Sequence, residues 1–172
     1  MDGAEEDDAR RARFGALVAV VVEPVRRFLA RRADPDTADD VLADTLLVLW
    51  RRLDDVPAGD EALPWTYAVA RNALSNAERG ARRQRRLAHR ISVVDPPEEV
   101  SPPEAEPDDR VAAALAQMRP DEAELLRLWA WEQLGPAQIA TVLDLTPNAV
   151  SIRLHRARGR FKEIFEGIPG EG

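Results

Sequence analysis

The chain has 172 residues, a formal net charge of −7 and no cysteine, which excludes disulfides, a zinc–thiolate site and a thiol redox switch within it. No apolar run approaches the roughly 20 residues that cross a bilayer as a helix, and the opening MDGAEEDDARRAR lacks the basic start and apolar core of a secretory signal, so a cytoplasmic location is expected. The charge is unevenly placed: residues 1–90 carry 16 acidic and 16 basic side chains, residues 110–172 carry 8 and 8, and the excess falls wholly in residues 91–109, with seven acids and no base.

The first predicted element is a helix over about 9–33, where Phe14, Leu17, Val18, Val21, Val25, Phe28 and Leu29 recur at steps of three and four. Pro24 predicts a kink or a break in it. A second helix opens at DPDTADDVLADTLLVLW, with Asp36 or Thr37 as cap and acids in its first turn, where they meet the positive end of the helix dipole. Val41, Leu42, Thr45, Leu49 and Trp50 form its expected seam. The loop DDVPAGDEALP follows, flexible at Gly59 and held at its far end by Pro64 and Trp65.

A third helix begins at Trp65 and runs to about residue 90, with Trp65, Val69, Ala73 and Leu74 as its inward face. Asn72, Asn76, Arg79, Arg83 and Arg86 step by four, three, four and three along the other side. Amides come first and guanidinium groups later, a sequence suited to unpaired base edges and then to phosphates. The arginine run reads equally as a solvated helix tail fraying at Gly80. Asn72 is harder to assign to such a tail, because asparagine forms helix poorly.

Residues 91–109, ISVVDPPEEVSPPEAEPDD, combine five prolines with their seven acids. Proline removes backbone donors and like charges repel, so this reads as an extended linker between two helical domains. Beyond it, GPAQIATVLDL starts a short helix with Ile139, Ala140 and Leu143 as its apolar face. TPNAVSIRLHRARGRFKEIF follows after a tight turn. Thr146 is the expected N-cap and Pro147 the first helical residue, where a missing N–H costs nothing. Val150, Leu154, Ala157, Phe161, Ile164 and Phe165 make a seam, and Asn148, Ser151, Arg153, His155, Arg156, Arg158, Arg160 and Lys162 stand outside it.

A short helix, a tight turn and a longer helix with polar residues at its start is the helix-turn-helix plan. Asp144 stands where the turn usually favours glycine, and aspartate tolerates the left-handed backbone. The expected fold class is therefore all-α: two small helical domains, residues 1–90 and 110–172, joined by the linker at 91–109, the second containing the helix-turn-helix.

Three stretches, TADDVLADTLLVLWRRLDD, PWTYAVARNALSN and IATVLDLTPNAVSIRLHRAR, stand in this order across a linker, and together they resemble the extracytoplasmic-function group of bacterial RNA polymerase sigma factors over about residues 10–165. The resemblance implies that residues 1–90 form a region-2-like domain for the promoter −10 element and the clamp helices of the polymerase β′ subunit. Residues 110–172 correspond to a region-4-like domain for the −35 element and the β flap. It further implies Asp39, Asp40 and Asp44 in polymerase binding, with Ala43 where relatives often carry glutamine. The loop at 54–64, including Val56, matches the family's base-pocketing loop, and Asn72, Asn76, Arg79 and Arg83 face the −10 strand. For the −35 element it implies Asn148, Ser151, Arg153, His155, Arg156 and Arg158, with Ser151 standing where relatives often carry arginine. Core RNA polymerase, promoter DNA and an anti-sigma factor are the implied partners, with no cofactor, metal or small-molecule substrate.

The closest rival is a stand-alone helix-turn-helix regulator, which accounts for residues 120–165 but not for the acidic helix or the Asn/Arg helix before them. An enzyme is disfavoured: His89 and His155 sit in arginine-rich helix ends without an acid–histidine–nucleophile spacing, and no glycine-rich phosphate loop occurs. A helical adaptor with no nucleic-acid contact is the remaining reading.

Overall fold

The computed structural model describes residues 2–91 and 109–169, and these are helical, with no strand among them. They fall into two separate units. The linker expected at 91–109 lies almost wholly outside the described residues.

The first unit holds α1 (Asp2–Ala30), α2 (Pro35–Arg51), two short 3-10 turns (Leu53–Asp55 and Gly59–Glu61) and α3 (Ala62–Ile91). The three helices pack against one another. Pro24 does not break α1, which spans 29 residues with the proline inside. An interior proline costs about 3 kcal/mol. Val21, Val25, Phe28 and Leu29 are all fully buried around it, and each such side chain contributes roughly 1.5–3 kcal/mol on burial. Packing therefore outweighs the lost hydrogen bond, and the helix ends only at Ala30. There Arg32 donates to the Phe28 carbonyl at 2.9 Å, its guanidinium lying over the Phe28 ring.

Neither expected cap of α2 is used. Asp34 is the N-cap, its carboxylate accepting from the Thr37 backbone N–H at 3.0 Å, because Pro35 fits the first helical position just after it. That N–H holds the Asp34 carboxyl below its ordinary value. Val41, Leu42, Thr45 and Leu49 are buried as expected, and the Thr45 hydroxyl is satisfied by the Val41 carbonyl at 2.7 Å. Trp50 departs from the expectation: it is only half-buried, edge-on to Phe14 at 5.2 Å with the Arg10 guanidinium over its ring.

α3 starts at Ala62, three residues before the expected position, so Pro64 and Trp65 sit in its first turn instead of anchoring a loop. A proline there removes only an N–H that has no intrahelical partner. The inward face is rotated as well. Thr66, Tyr67, Ala70 and Leu74 are buried, whereas Trp65, Val69 and Ala73 are half-buried. Tyr67 fixes the rotation by meeting Phe28 of α1 at 5.0 Å. The helix continues through Gly80 to Ile91 without fraying there.

Two α1 arginines fasten the end of α2 and the start of the following loop. Arg10 donates to the Trp50 carbonyl (2.8 Å) and to Asp54 (3.2 Å), and Arg13 to the Leu53 carbonyl (2.9 Å) and to Asp54 (2.9 Å). Hydrogen bonds from Arg13, then Arg10, hold the Asp54 carboxyl below its ordinary value. A depressed folded value stabilises above the ordinary carboxylate range and fails as the pH falls through the folded value. Replacing Asp54 with asparagine will therefore lower stability slightly at neutral pH, with the gap closing on acidification below that range. Denaturant titrations of both proteins from pH 7 to pH 3 check this; a gap independent of pH would assign the effect to something other than the carboxylate.

The second unit holds α4 (Asp109–Gln117), α5 (Pro120–Ala130), α6 (Pro136–Leu143) and α7 (Pro147–Gly167). Proline opens α5, α6 and α7 alike. Ala114 and Leu115 of α4 with Met118 just beyond its end, Leu125, Leu126 and Leu128 of α5, Ile139 and Val142 of α6, and Val150, Leu154 and Ala157 of α7 form the core. Arg110 closes it from the far side, donating to the carbonyls of Phe165 (3.2 Å) and Ile168 (3.0 Å) with its guanidinium over the Phe165 ring. Both carbonyls lie at the negative end of α7, where a cation is favoured.

Candidate nucleic-acid interface

The turn between α6 and α7 has the geometry its residues predict. Asp144 is left-handed (φ 54°, ψ 52°), and its N–H and that of Leu145 both reach the Ala140 carbonyl. Ala140 is buried where the helices cross. At the start of α6, the Gln138 side chain reaches back to the Gly135 N–H at 3.1 Å. Thr146 caps α7 by accepting from the Ala149 N–H at 3.2 Å. The residue order short helix, αL turn, capped long helix is thus realised as a packed pair.

With Val150, Leu154 and Ala157 buried, the helical repeat of α7 turns Asn148, Ile152, His155 and Arg156 furthest outward. Ser151 and Arg158 lie on one flank and Arg153 and Arg160 on the other. All of these are exposed. Two of the expected contacts are also engaged within the protein. The Ser151 hydroxyl donates to the Pro147 carbonyl at 3.0 Å. The Arg158 guanidinium lies 4.7 Å from the centre of the Trp129 ring on α5. Ile152 was missed by sequence reasoning, although its place outside the seam was a visible signal.

In the first unit, Asn72, Asn76, Arg79, Arg83 and Arg86 are exposed and lie opposite Ala70 and Leu74 on α3. Asn76 accepts from Arg79 at 2.6 Å, which turns that guanidinium along the stripe. Val56 is half-buried in the loop, between the two 3-10 turns, and Gly59 takes a positive φ of 64° at the second of them. Arg52 pairs with Asp55 at 3.0 Å and lies over Trp65, tying the loop to α3 as Arg10 and Arg13 tie it to α1. Asp39, Asp40 and Asp44 are exposed on the outer face of α2, beside Leu47, which is 51% exposed. Among the described residues no group of three or more His, Cys, Asp or Glu side chains is placed to hold a metal ion. No described helix is long and apolar enough to cross a membrane.

Residues 108–161, which contain this helix-turn-helix, match the family model for region 4 of sigma-70. Two curated relatives extend the match to most of the chain. RNA polymerase sigma factor CarQ of Myxococcus xanthus is 28% identical, with 92% of each chain covered. RNA polymerase sigma factor CnrH of Cupriavidus metallidurans is 25% identical over 95% of this chain and 92% of its own. The chain is an RNA polymerase sigma factor of the extracytoplasmic-function type. The sigma factor's fold is that of sigma factor RpoE, solved with the anti-sigma factor NepR from Bartonella quintana: TM-score 0.67 at 19% identity, covering 89% of this chain and 96% of that one. CnrH, solved with the cytosolic domain of CnrY, gives 0.61 at 23%, covering 91% and 89%. Such a protein directs promoter-specific transcription initiation and is not itself an enzyme.

Proposed function

We propose that this sigma factor divides its task among three solvent-facing surfaces: the acidic face of α2, the Asn/Arg stripe of α3 with the loop before it, and the outward face of α7. The observation that carries the proposal is their separation. Each side-chain chemistry occupies one helix and faces away from the core it is built on.

Asp39, Asp40 and Asp44 with Leu47 bind the β′ clamp helices of core polymerase. Asn72 and Asn76 meet base edges of the −10 element once the strands part, with Val56 in the loop as a pocket wall, and Arg79 and Arg83 hold adjacent phosphates. In the second unit, residues 110–172 take the −35 duplex and the β flap. Asn148, Arg153, His155 and Arg156 reach into the major groove. Ser151 is a weaker candidate because its hydroxyl is bound to its own helix, and Arg158 serves the phosphate flank from its seat on Trp129.

The acidic stretch at 91–109 bridges the two units within polymerase. An anti-sigma factor holds the free protein in the cytoplasm, as the complexes of the two solved relatives suggest.

Charge balance within residues 1–90 and 110–172 gives the protein no strong general attraction to duplex DNA. The free sigma factor will therefore bind promoter duplex weakly, and initiation will require core enzyme. In vitro transcription over a promoter library, with and without core polymerase, tests this. Tight, specific duplex binding by the isolated protein at physiological salt would instead favour a stand-alone regulator.

A further inference from the structure

Ile152 is 47% exposed in the middle of the α7 face. A single exposed aliphatic side chain is ordinary on a protein surface; its neighbours give this one a direction. Asn148 lies one turn before it and Arg156 one turn after, each about 6 Å along the axis at ~1.5 Å per residue. Amide, aliphatic and guanidinium groups thus follow one another on a stripe about 12 Å long, a reach of three to four base steps at ~3.4 Å per step. On the flank of this stripe Ser151 bonds back to Pro147 and Arg158 sits on Trp129, so of the other polar groups only His155 stands outward beside Ile152.

On the floor of the major groove, guanine and adenine edges offer partners for guanidinium and amide groups. The apolar feature there is the 5-methyl group of thymine. We propose that Ile152 reads the methyl group of one thymine in the upstream promoter element. The proposal rests on α7 being the duplex-reading helix. A branched aliphatic side chain fixed at χ1 in a helix is well suited to this, because little rotamer freedom remains to be lost on contact.

The test uses holoenzyme assembled from the full chain and core polymerase, on a promoter selected from a library. Each thymine of the upstream element is replaced singly by deoxyuridine, which removes the methyl group and leaves every hydrogen-bonding atom. One such replacement should weaken binding about four-fold, the effect of one buried methyl group. Ile152→Ala should bind the unmodified promoter as weakly as the parent binds that uracil duplex, and should lose nothing further on it. Ile152→Val should keep most of the methyl preference. Exposed alanine is a good helix former, and circular dichroism will check that α7 persists.

Indifference of the parent protein to every uracil, or equal uracil sensitivity in the parent and Ile152→Ala, would overturn the proposal. Arg153→Ala and Arg156→Ala, run on the same duplexes, separate the two levels of the argument. If they alter upstream-element preference while no uracil matters, the methyl contact alone is wrong. If they alter nothing, the assignment of α7 falls with it.

Discussion

Replacing Asp40 and Asp44 together with lysine will abolish core-dependent transcription, and the fold will survive it. Both carboxylates are exposed on α2 and belong to neither its buried seam nor its cap. If this acidic face meets a basic patch of core polymerase as proposed, reversing two of its charges sets like charges against each other, a penalty of several kcal/mol. A loss of core affinity of about a hundred-fold or more is expected, read by competition for core enzyme, with an unchanged melting temperature. The opposite pattern is expected for Arg153→Ala and Arg156→Ala. Each should cost roughly 1–3 kcal/mol in recognition of the upstream element if the arginine makes a bidentate base contact, and each should leave core binding intact. The same defect from both sets would show that the surfaces are not separate.

Asn72→Ala will separate stability from function by sign. Asn72 is exposed in the interior of α3, opposite the buried face, so alanine there should leave the protein as stable or a few tenths of a kcal/mol more so. Open-complex formation on duplex promoters should nevertheless fall, because an amide that donates and accepts at once is lost from the separated strand. Permanganate footprinting of the melted region beside a melting curve reads both effects. Exchanging residues 55–62 for another family member's loop should shift the preferred base of the −10 element and leave the −35 preference alone. Normal strand opening in Asn72→Ala would remove the assigned role. A fall in melting temperature with promoter preference unchanged would make Asn72 a packing residue.

What the sequence determined by itself was whatever a segment of ten to twenty residues decides alone. The helix-turn-helix is of this kind. Thr146 caps its own third neighbour, Pro147 stands where no N–H is needed, Asp144 adopts the left-handed backbone, and Val150, Leu154 and Ala157 share one face by spacing. The acidic outer face of α2 and the Asn/Arg stripe of α3 are equally local, since exposed polar residues at helical spacing need no partner to define their side.

Only the tertiary structure decided the features that depend on residues distant in the chain. α1 passes through Pro24 because buried neighbours outweigh a missing hydrogen bond. Tyr67 turns α3 inward along Thr66, Ala70 and Leu74 because it meets Phe28, 39 positions earlier. Trp50 stays half-buried between Phe14 and Arg10. Asp54 is gripped by arginines 41 and 44 residues away, and Arg158 is drawn onto Trp129. Periodicity states that a residue has an inside or an outside, but not which distant side chain waits there, and that partner sets rotation, anchoring and the final aim of each charge.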